Sequence, residues 1–264
     1  MSRISTLFKN KPSRVLNIYC TAGYPHLDST LEVMIALHEN GADIIELGIP
    51  YSDPLADGPV IQMSNTKALQ NGMTIKKLFE QLKGLRKSPA KGGIGEVVPI
   101  ILMGYLNPIL QYGFEKFCSD AAATGIDGLI LPDLPEYEYE KHYKAIIKKN
   151  NLDFIFLVTP ETSAERVKKL DELSSGFLYA VSSSSTTGIS KNKNDIVQYL
   201  QKLKSLKLKN PILAGFGIGD KDSFEKVCAH ANGAIIGSAY IKALENAADV
   251  NAATRTFLSS ILPV

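Results

Sequence analysis

A short apolar segment of the chain contains one acidic residue whose surroundings suit acid–base chemistry. Glu46 lies among the aliphatic residues of segment 43–50. If that segment is a β-strand, its side chains alternate, so Ile44, Glu46 and Gly48 share the inward face. Burial disfavours a charged carboxylate and raises its pKa, which makes a glutamate usable as a general acid near neutral pH. Glu46 is therefore the first catalytic candidate; a structural glutamate, paired with a lysine or capping a backbone amide, is the alternative.

The loop that follows this segment contains two more acids, Asp53 and Asp57. Pro54 and Pro59 restrict the loop backbone, which would hold both carboxylates at defined positions near a site. Asp57 is the second catalytic candidate. The alternative, which the spacing does not exclude, is that Asp57 caps a helix starting near Pro59, since Asp before Gly-Pro often begins a helix.

Glycine-containing turns recur in the second half of the chain. Gly188 follows Thr187, Gly217 lies in a Gly-rich turn, and Gly237 precedes Ser238. Glycine lets backbone N–H groups approach an anion closely, and a following helix N-terminus favours negative charge. Each turn alone is ordinary turn chemistry. Together they predict a phosphate site, with Ser238 adding a hydroxyl donor, and hence a small phosphorylated substrate.

The overall composition excludes several classes of protein. With 29 basic and 27 acidic residues and a net charge of +2, the surface is too balanced for a nucleic-acid-binding protein. The three cysteines and four histidines are dispersed, which predicts no disulfide framework, no metal site and a reducing, cytoplasmic setting. No apolar run approaches the roughly 18 residues of a membrane span, so we expect no membrane association.

The elements that must position these residues form a repeating pattern. Short apolar runs rich in Ile, Val and Leu alternate with amphipathic helical segments. The runs are 16–21, 43–49, 97–103, 128–132, 154–159, 177–182, 211–215 and 234–237. Eight βα units in 264 residues predict an α/β protein, a (β/α)₈ TIM barrel forming a single domain over 1–264. Candidates at the ends of the runs then meet at the barrel mouth.

Two features of the N-terminal region bear on this fold. A doubly wound sheet is the structural alternative, but no GxGxxG motif follows the first strand. Ile4, Leu7 and Phe8 lie at helical spacing, which predicts an additional short helix closing the barrel bottom. A transit peptide is the alternative interpretation of this basic segment, but the first strand begins too soon to leave room for a removable leader.

Segment 45–58 reads Ile-Glu-Leu-Gly-Ile-Pro-Tyr-Ser-Asp-Pro-Leu-Ala-Asp-Gly. It resembles, at all its characteristic positions, the signature of the tryptophan synthase α family. Further segments resemble family motifs in family order along nearly the whole chain, namely 21–23, 103–108, 132–135, 187–188, 215–217 and 236–239. This resemblance implies retro-aldol cleavage of indole-3-glycerol phosphate to indole and glyceraldehyde 3-phosphate, with no cofactor in this chain.

The resemblance also implies roles for single residues. Glu46 would be the acid/base on the indole ring carbon and the side-chain hydroxyl, and Asp57 would bind the indole N–H, with Tyr179 beside Glu46. Tyr19, Tyr105 and Ile155 are candidate walls for the indole, and ordinary core packing is the alternative for each.

A partner follows from the same resemblance. It implies a pyridoxal-phosphate-dependent β subunit that consumes indole, in an α₂β₂ assembly. The candidate interface residues are Asp53, Pro54, Asn107, Pro108 and Pro135, and plain loop geometry is their alternative explanation.

The sequence departs from the family pattern in two places. In the sixth loop, Ser185 and Thr186 replace a Gly-Val pair and Ser183 replaces an arginine, and in the first loop Tyr24 replaces a common aspartate.

The sequence leaves two alternative functions. The first is another phosphate-binding barrel enzyme, such as a phosphosugar isomerase or the synthase of indole-3-glycerol phosphate. That synthase needs a catalytic lysine on a strand, and the strand cores of this chain contain no lysine. A non-catalytic α-like activator of a β subunit is the other.

Overall fold

The computed structural model describes residues 2–87, 93–95, 97–181, 193–215 and 217–262. Its strands form one parallel sheet: β1 Val15–Thr21, β2 Ile44–Gly48, β3 Ile100–Met103, β4 Gly128–Ile130, β5 Asp153–Phe154, β6 Leu157–Val158, β7 Leu178–Val181, β8 Ile212–Gly215 and β9 Gly233–Ile236. The helices are α1 Arg3–Asn10, α2 Ser29–Glu39, α3 Pro59–Gln70, α4 Ile75–Gln81, α5 Leu106–Tyr112, α6 Phe114–Ala123, α7 Glu136–Glu138, α8 Lys144–Lys149, α9 Ala164–Leu173, α10 Lys193–Ser205, α11 Lys221–Cys228, α12 Ser238–Leu244 and α13 Val250–Ile261. A π-helical turn, Tyr139–Tyr143, joins α7 to α8.

The sheet closes on itself. Its strand order is β5-β4-β3-β2-β1-β9-β8-β7-β6, so the two end strands are consecutive pieces of one extended segment. Within that segment, Ile155 N–H donates to the Leu129 carbonyl at 3.0 Å, and Tyr179 N–H donates to the Phe156 carbonyl at 3.0 Å. One segment thus bonds β4 on one side and β7 on the other, which confirms the predicted (β/α)₈ barrel.

The predicted strand 154–159 is divided into two pieces. Two of its backbone N–H groups bond to serine hydroxyl groups instead of to carbonyl groups of a neighbouring strand. Phe154 N donates to Ser175 Oγ at 3.0 Å, and Phe156 N donates to Ser174 Oγ at 3.1 Å. The serines lie just before β7 and take the place of ladder partners, so the ladder is interrupted.

Alternation along the strands separates two cores. The residues inside the barrel form one cluster, the interior layer: Val15, Ile44, Ile101, Ile130, Ile155, Phe177, Leu213 and Ile235, together with Ile4 of α1. Ile45, Leu47 and Ile49 belong instead to the large cluster between sheet and helices. The two faces predicted for β2 are therefore confirmed, as expected for a strand buried on both sides.

Helix α1 closes the bottom of the barrel, as its spacing predicts. Ile4 is fully buried in the interior layer, and Leu7 and Phe8 pack against it. The Phe8 ring lies 6.3 Å from the Phe177 ring. Arg3 donates to Asp127, beside β4, at 2.9 Å and fixes the helix to the sheet. Within the described ranges, no helix combines the length and apolar composition needed to cross a bilayer.

Candidate active site

A cavity of about 960 Å³ opens at the carboxyl-terminal ends of the strands. Its floor is the next inward layer of the barrel: Tyr19, Glu46, Met103, Pro132, Leu157, Tyr179, Gly215 and Gly237. From Glu46 onward, each of these lies two residues beyond a member of the interior layer. The strand period of two therefore places both layers on the same face. Enzymes with this fold have their chemistry at this end.

Glu46 lies inside the barrel wall at this floor and is 1% exposed. Asn17 of β1 donates from Nδ2 to its Oε2 at 2.8 Å. Its other oxygen, Oε1, has no hydrogen-bond partner among the described residues. Burial raises the pKa of Glu46 to about 8, against a smaller lowering by the Asn17 hydrogen bond. Among the described residues, no lysine or arginine forms an ion pair with Glu46 and no backbone N–H donates to its side chain, so neither form of the structural alternative is present.

Asp57 is held above the floor by Tyr105. The Tyr105 hydroxyl donates to Asp57 Oδ2 at 3.1 Å and accepts from the Ala56 N–H at 3.1 Å. Helix α3 does begin at Pro59, but its N-cap is Gly58 and no side chain caps it. Asp57 therefore lines the cavity instead of capping the helix. Burial raises its pKa to about 6, and the Tyr105 hydrogen bond opposes that rise.

The two acids differ in charge at neutral pH. With a pKa of about 8, Glu46 keeps its proton at pH 7, whereas Asp57, with a pKa of about 6, is mostly ionised. The negative charge of Asp57 contributes to raising the pKa of Glu46, so an ionised Asp57 favours a protonated Glu46. Carboxyl groups with pKa values moved apart in this way supply one proton donor and one negative charge to a single site.

Two tyrosines complete the floor, and each needs a glycine on the next strand. A Cβ on Gly48 would lie 2.1 Å from the Tyr19 hydroxyl oxygen, and a Cβ on Gly215 would lie 2.9 Å from that of Tyr179. Both phenols therefore pass over a neighbouring strand that has no side chain. Burial raises the pKa of both well above its usual value, so both remain O–H donors.

The same cavity contains the predicted anion-binding groups that the structure describes. Gly217, with φ of +67°, Gly237 and Ser238 all line it. Ser238 begins α12, and Lys242 on the same helix also lines the cavity, a cation that the sequence did not single out. Thr187 and Gly188 lie outside the described residues, as do Ser183, Ser185 and Thr186.

The remaining sequence candidates lie around this centre. Tyr105 is behind Asp57 and is not among the residues lining the cavity, and Ile155 belongs to the interior layer below it. Of the predicted interface residues, Asp53, Asn107 and Pro135 are exposed, Pro108 is half-buried and Pro54 is buried. Asn17, the Glu46 partner, was missed. Its signal was a polar residue on the inward face of β1, two positions before Tyr19.

In the part of the chain that the structure describes, no three His, Cys, Asp or Glu residues are arranged to hold a metal ion. Cys20, Cys118 and Cys228 are free thiols.

Comparison with known proteins places the chain in a family. The sequence profile described as "Tryptophan synthase alpha chain" matches residues 6–260. The tryptophan synthase alpha chain of Parabacteroides distasonis is 47% identical over 249 residues, 94% of each chain, and that of Christiangramia forsetii is 49% identical over 243 residues, 92% of each.

Solved structures agree with the sequence comparison. Tryptophan synthase subunit alpha from Legionella pneumophila superimposes with a TM-score of 0.88 at 35% identity, covering 99% of this chain and 97% of that chain. A chain of Mycobacterium tuberculosis tryptophan synthase in its open form gives a TM-score of 0.83 at 31% identity, covering 99% of both. With its fold, its cavity and its sequence in agreement, the chain belongs to the tryptophan synthase alpha chain family.

Proposed function

We propose that Glu46 and Asp57 carry out the lyase reaction of this family in the cavity at the barrel mouth. That reaction cleaves indole-3-glycerol phosphate to indole and glyceraldehyde 3-phosphate in tryptophan biosynthesis. The observation that carries the assignment of roles is the pairing of a buried carboxyl group, pKa about 8, with a second one, pKa about 6, in one cavity.

The reaction needs a proton donor first and a proton acceptor second. Neutral Glu46 transfers its proton to the ring carbon that bears the side chain, which puts positive charge on the indole nitrogen. Glu46, now a carboxylate, takes the proton of the side-chain hydroxyl. The carbon–carbon bond then breaks, its electron pair returns to the ring, and the hydroxyl carbon becomes the aldehyde. Glu46 ends protonated, so no net proton is consumed.

Asp57 acts on the intermediate between these steps. Its carboxylate accepts a hydrogen bond from the indole N–H and stabilises the positive charge that protonation creates. Tyr105 holds the carboxylate in place through Oδ2. Tyr179, a neutral phenol on the same floor, is a third group beside the reacting atoms.

In this proposal the phosphate of the substrate binds in the same cavity, near Gly217 and Gly237. Backbone N–H groups near Gly217 and Gly237 approach it, and the Ser238 hydroxyl and Lys242 add donors. These four residues line the cavity that Glu46 and Asp57 also line. Thr187 and Gly188 would complete the phosphate site.

The family implies a β partner for this chain. We propose an α₂β₂ complex in which β carries pyridoxal phosphate and this chain needs no cofactor. Exposed Asp53, Asn107 and Pro135 follow three neighbouring strands at the mouth and support a contact there. Cys20, Cys118 and Cys228 are free thiols, which supports the proposed cytoplasmic location.

Two near-isosteric substitutions test the roles of the acids. Glu46→Gln and Asp57→Asn should each lower kcat for indole formation by at least about 100-fold, because they remove the proton donor and the negative charge. Binding of glyceraldehyde 3-phosphate, measured by titration calorimetry, should stay within about threefold of wild type, since neither group belongs to the phosphate site. Glu115→Gln and Asp222→Asn, exposed on α6 and α11, are the matched controls. Near-normal turnover by either site variant would remove that residue from its role.

A further inference from the structure

Asn17 is a polar side chain in an otherwise apolar part of the barrel. It is fully buried on β1, between Val15 of the interior layer and Tyr19 of the cavity floor. Its register partner on β2 is Ile44, and that of Tyr19 is Glu46. Asn17 therefore lies one layer beneath Glu46 and donates upward to it, from Nδ2 to Oε2 at 2.8 Å.

Stability alone does not account for an asparagine at this position. Asn17 Oδ1 is buried and has no hydrogen-bond partner among the described residues. A buried polar atom left without a partner destabilises the folded state. An aliphatic side chain would fill the same place without that cost, as the neighbouring members of the interior layer do.

The contact makes the two oxygens of Glu46 unequal. In a neutral carboxyl group the carbonyl oxygen is a better acceptor than the hydroxyl oxygen, so an amide donor on Oε2 favours the form with the proton on Oε1. Oε1 is the oxygen that no described residue engages. The same hydrogen bond stabilises the carboxylate, which Glu46 becomes after giving up its proton, and lowers the pKa that burial raises.

We propose that Asn17 is a positioning residue for the lyase reaction, which binds Glu46 through Oε2 and keeps its transferable proton on Oε1. This inference rests on the proposed role of Glu46 as the acid. Asn17 is one layer below the cavity floor and does not line the cavity, so it acts through Glu46.

The variant Asn17→Leu tests the inference, because leucine has a similar size and no donor. We expect kcat at pH 7 to fall roughly 10- to 100-fold, as is typical when a reacting group is misplaced. KM should change by less than about threefold. The falling limb of the kcat profile at alkaline pH should move to higher pH, because the donor that stabilises the Glu46 carboxylate is gone. The other titratable groups that act on Glu46 in the described structure are Asp57, Tyr19, Tyr179 and Cys20, and the substitution leaves them unchanged.

A matched control is available on α3. Asn65 is also a buried asparagine with an unpartnered Oδ1, and Asn65→Leu should leave the pH profile where it is. If Asn17→Leu does not fold, Asn17→Ala removes the donor with a smaller side chain and no titratable group, and should move the alkaline limb in the same direction. Folding of each variant is checked by thermal unfolding and by glyceraldehyde 3-phosphate binding.

Three outcomes would overturn the inference. They are an unchanged kcat and profile in Asn17→Leu, the same shift in Asn65→Leu, and a shift of the alkaline limb to lower pH. The last would show that Asn17 accepts a proton from Glu46 through Oδ1 instead of donating to it. Failure of the proposed function is distinguishable, since it would appear as near-normal turnover by Glu46→Gln whatever Asn17→Leu does.

Discussion

Glu46 and Asp57 are acids of nearly the same chemistry in different surroundings. Glu46 is enclosed by the barrel wall and has one amide donor, while Asp57 is half-buried on a loop and has one phenol donor. Burial raises both pKa values, and it raises that of Glu46 more. The difference in burial gives the two carboxyl groups different charges near neutral pH, and the proposed division of roles depends on that difference.

The pH dependence of kcat/KM follows from these two values. In the proposed mechanism cleavage requires Asp57 ionised, so activity should rise as pH passes about 6. The mechanism also requires Glu46 protonated, so activity should fall as pH passes about 8. The maximum should lie near pH 7. The phosphate of the substrate also titrates at about pH 6, so the alkaline limb is the more informative one. An initial-rate profile that keeps rising beyond pH 9 would contradict a protonated Glu46.

The sequence predicted the inward direction of Glu46 because alternation is a local property of a strand. It left the role of Asp57 open because the deciding partner, Tyr105, is 48 residues away. The Asn17 contact was missed for a related reason. It depends on the register between β1 and β2, which a single strand does not specify.

At the scale of elements, each of the two tyrosines of the cavity floor lies over a glycine of the neighbouring strand, and the site depends on that glycine having no side chain. Gly48→Ala would place a methyl group 2.1 Å from the Tyr19 hydroxyl oxygen and 2.5 Å from the ring carbon that carries it. Because the strands on both sides are packed, Tyr19 must move. We expect the free energy of unfolding to fall by about 1–3 kcal/mol and turnover to fall with it, measured by urea unfolding and by indole formation.

Two further variants isolate that clash. Gly58→Ala adds a methyl group where nothing lies within 4 Å and the φ of −76° suits any residue. Its unfolding free energy should fall only by the roughly 0.5–1 kcal/mol that separates glycine from alanine at an N-cap. In a Tyr19→Ala background, Gly48→Ala should cost much less than it does alone. Equal costs in both backgrounds would show that Tyr19 is not what Gly48 accommodates.

The predicted strand 154–159 shows where prediction of elements from the sequence ends. Its apolar run predicted a continuous strand over 154–159, and the extended backbone is present. The break arises from hydroxyl groups of Ser174 and Ser175, which come from the approach to the next strand. Composition within the run contains no sign of them.

At the scale of the whole molecule, the barrel interior is closed at one end by α1 and open at the other. Ile4→Ala should lower the free energy of unfolding by about 2–5 kcal/mol, because it leaves a void in a fully buried layer. Turnover per folded molecule should stay within about twofold of wild type, since Ile4 packs in the layer beneath the cavity floor. Thr6→Ala, exposed on the same helix, is the control. Equal unfolding midpoints for the two variants would contradict a closing role for α1.

The barrel itself could be predicted because eight short apolar runs alternate with amphipathic helical segments along 264 residues. The repeat fixes the strand direction and therefore the end at which the site lies. The identity of the substrate is not contained in that pattern. Composition and glycine placement indicate a phosphorylated molecule, and the indole enters only through the match of residues 6–260 to the family.

The most direct test is to incubate the purified chain with indole-3-glycerol phosphate and measure both products, with and without a β subunit. We predict indole and glyceraldehyde 3-phosphate in equal amounts without added cofactor, at a higher rate when β is present. Indole formation should be abolished in Glu46→Gln. No indole from the wild-type chain in either condition would contradict the account.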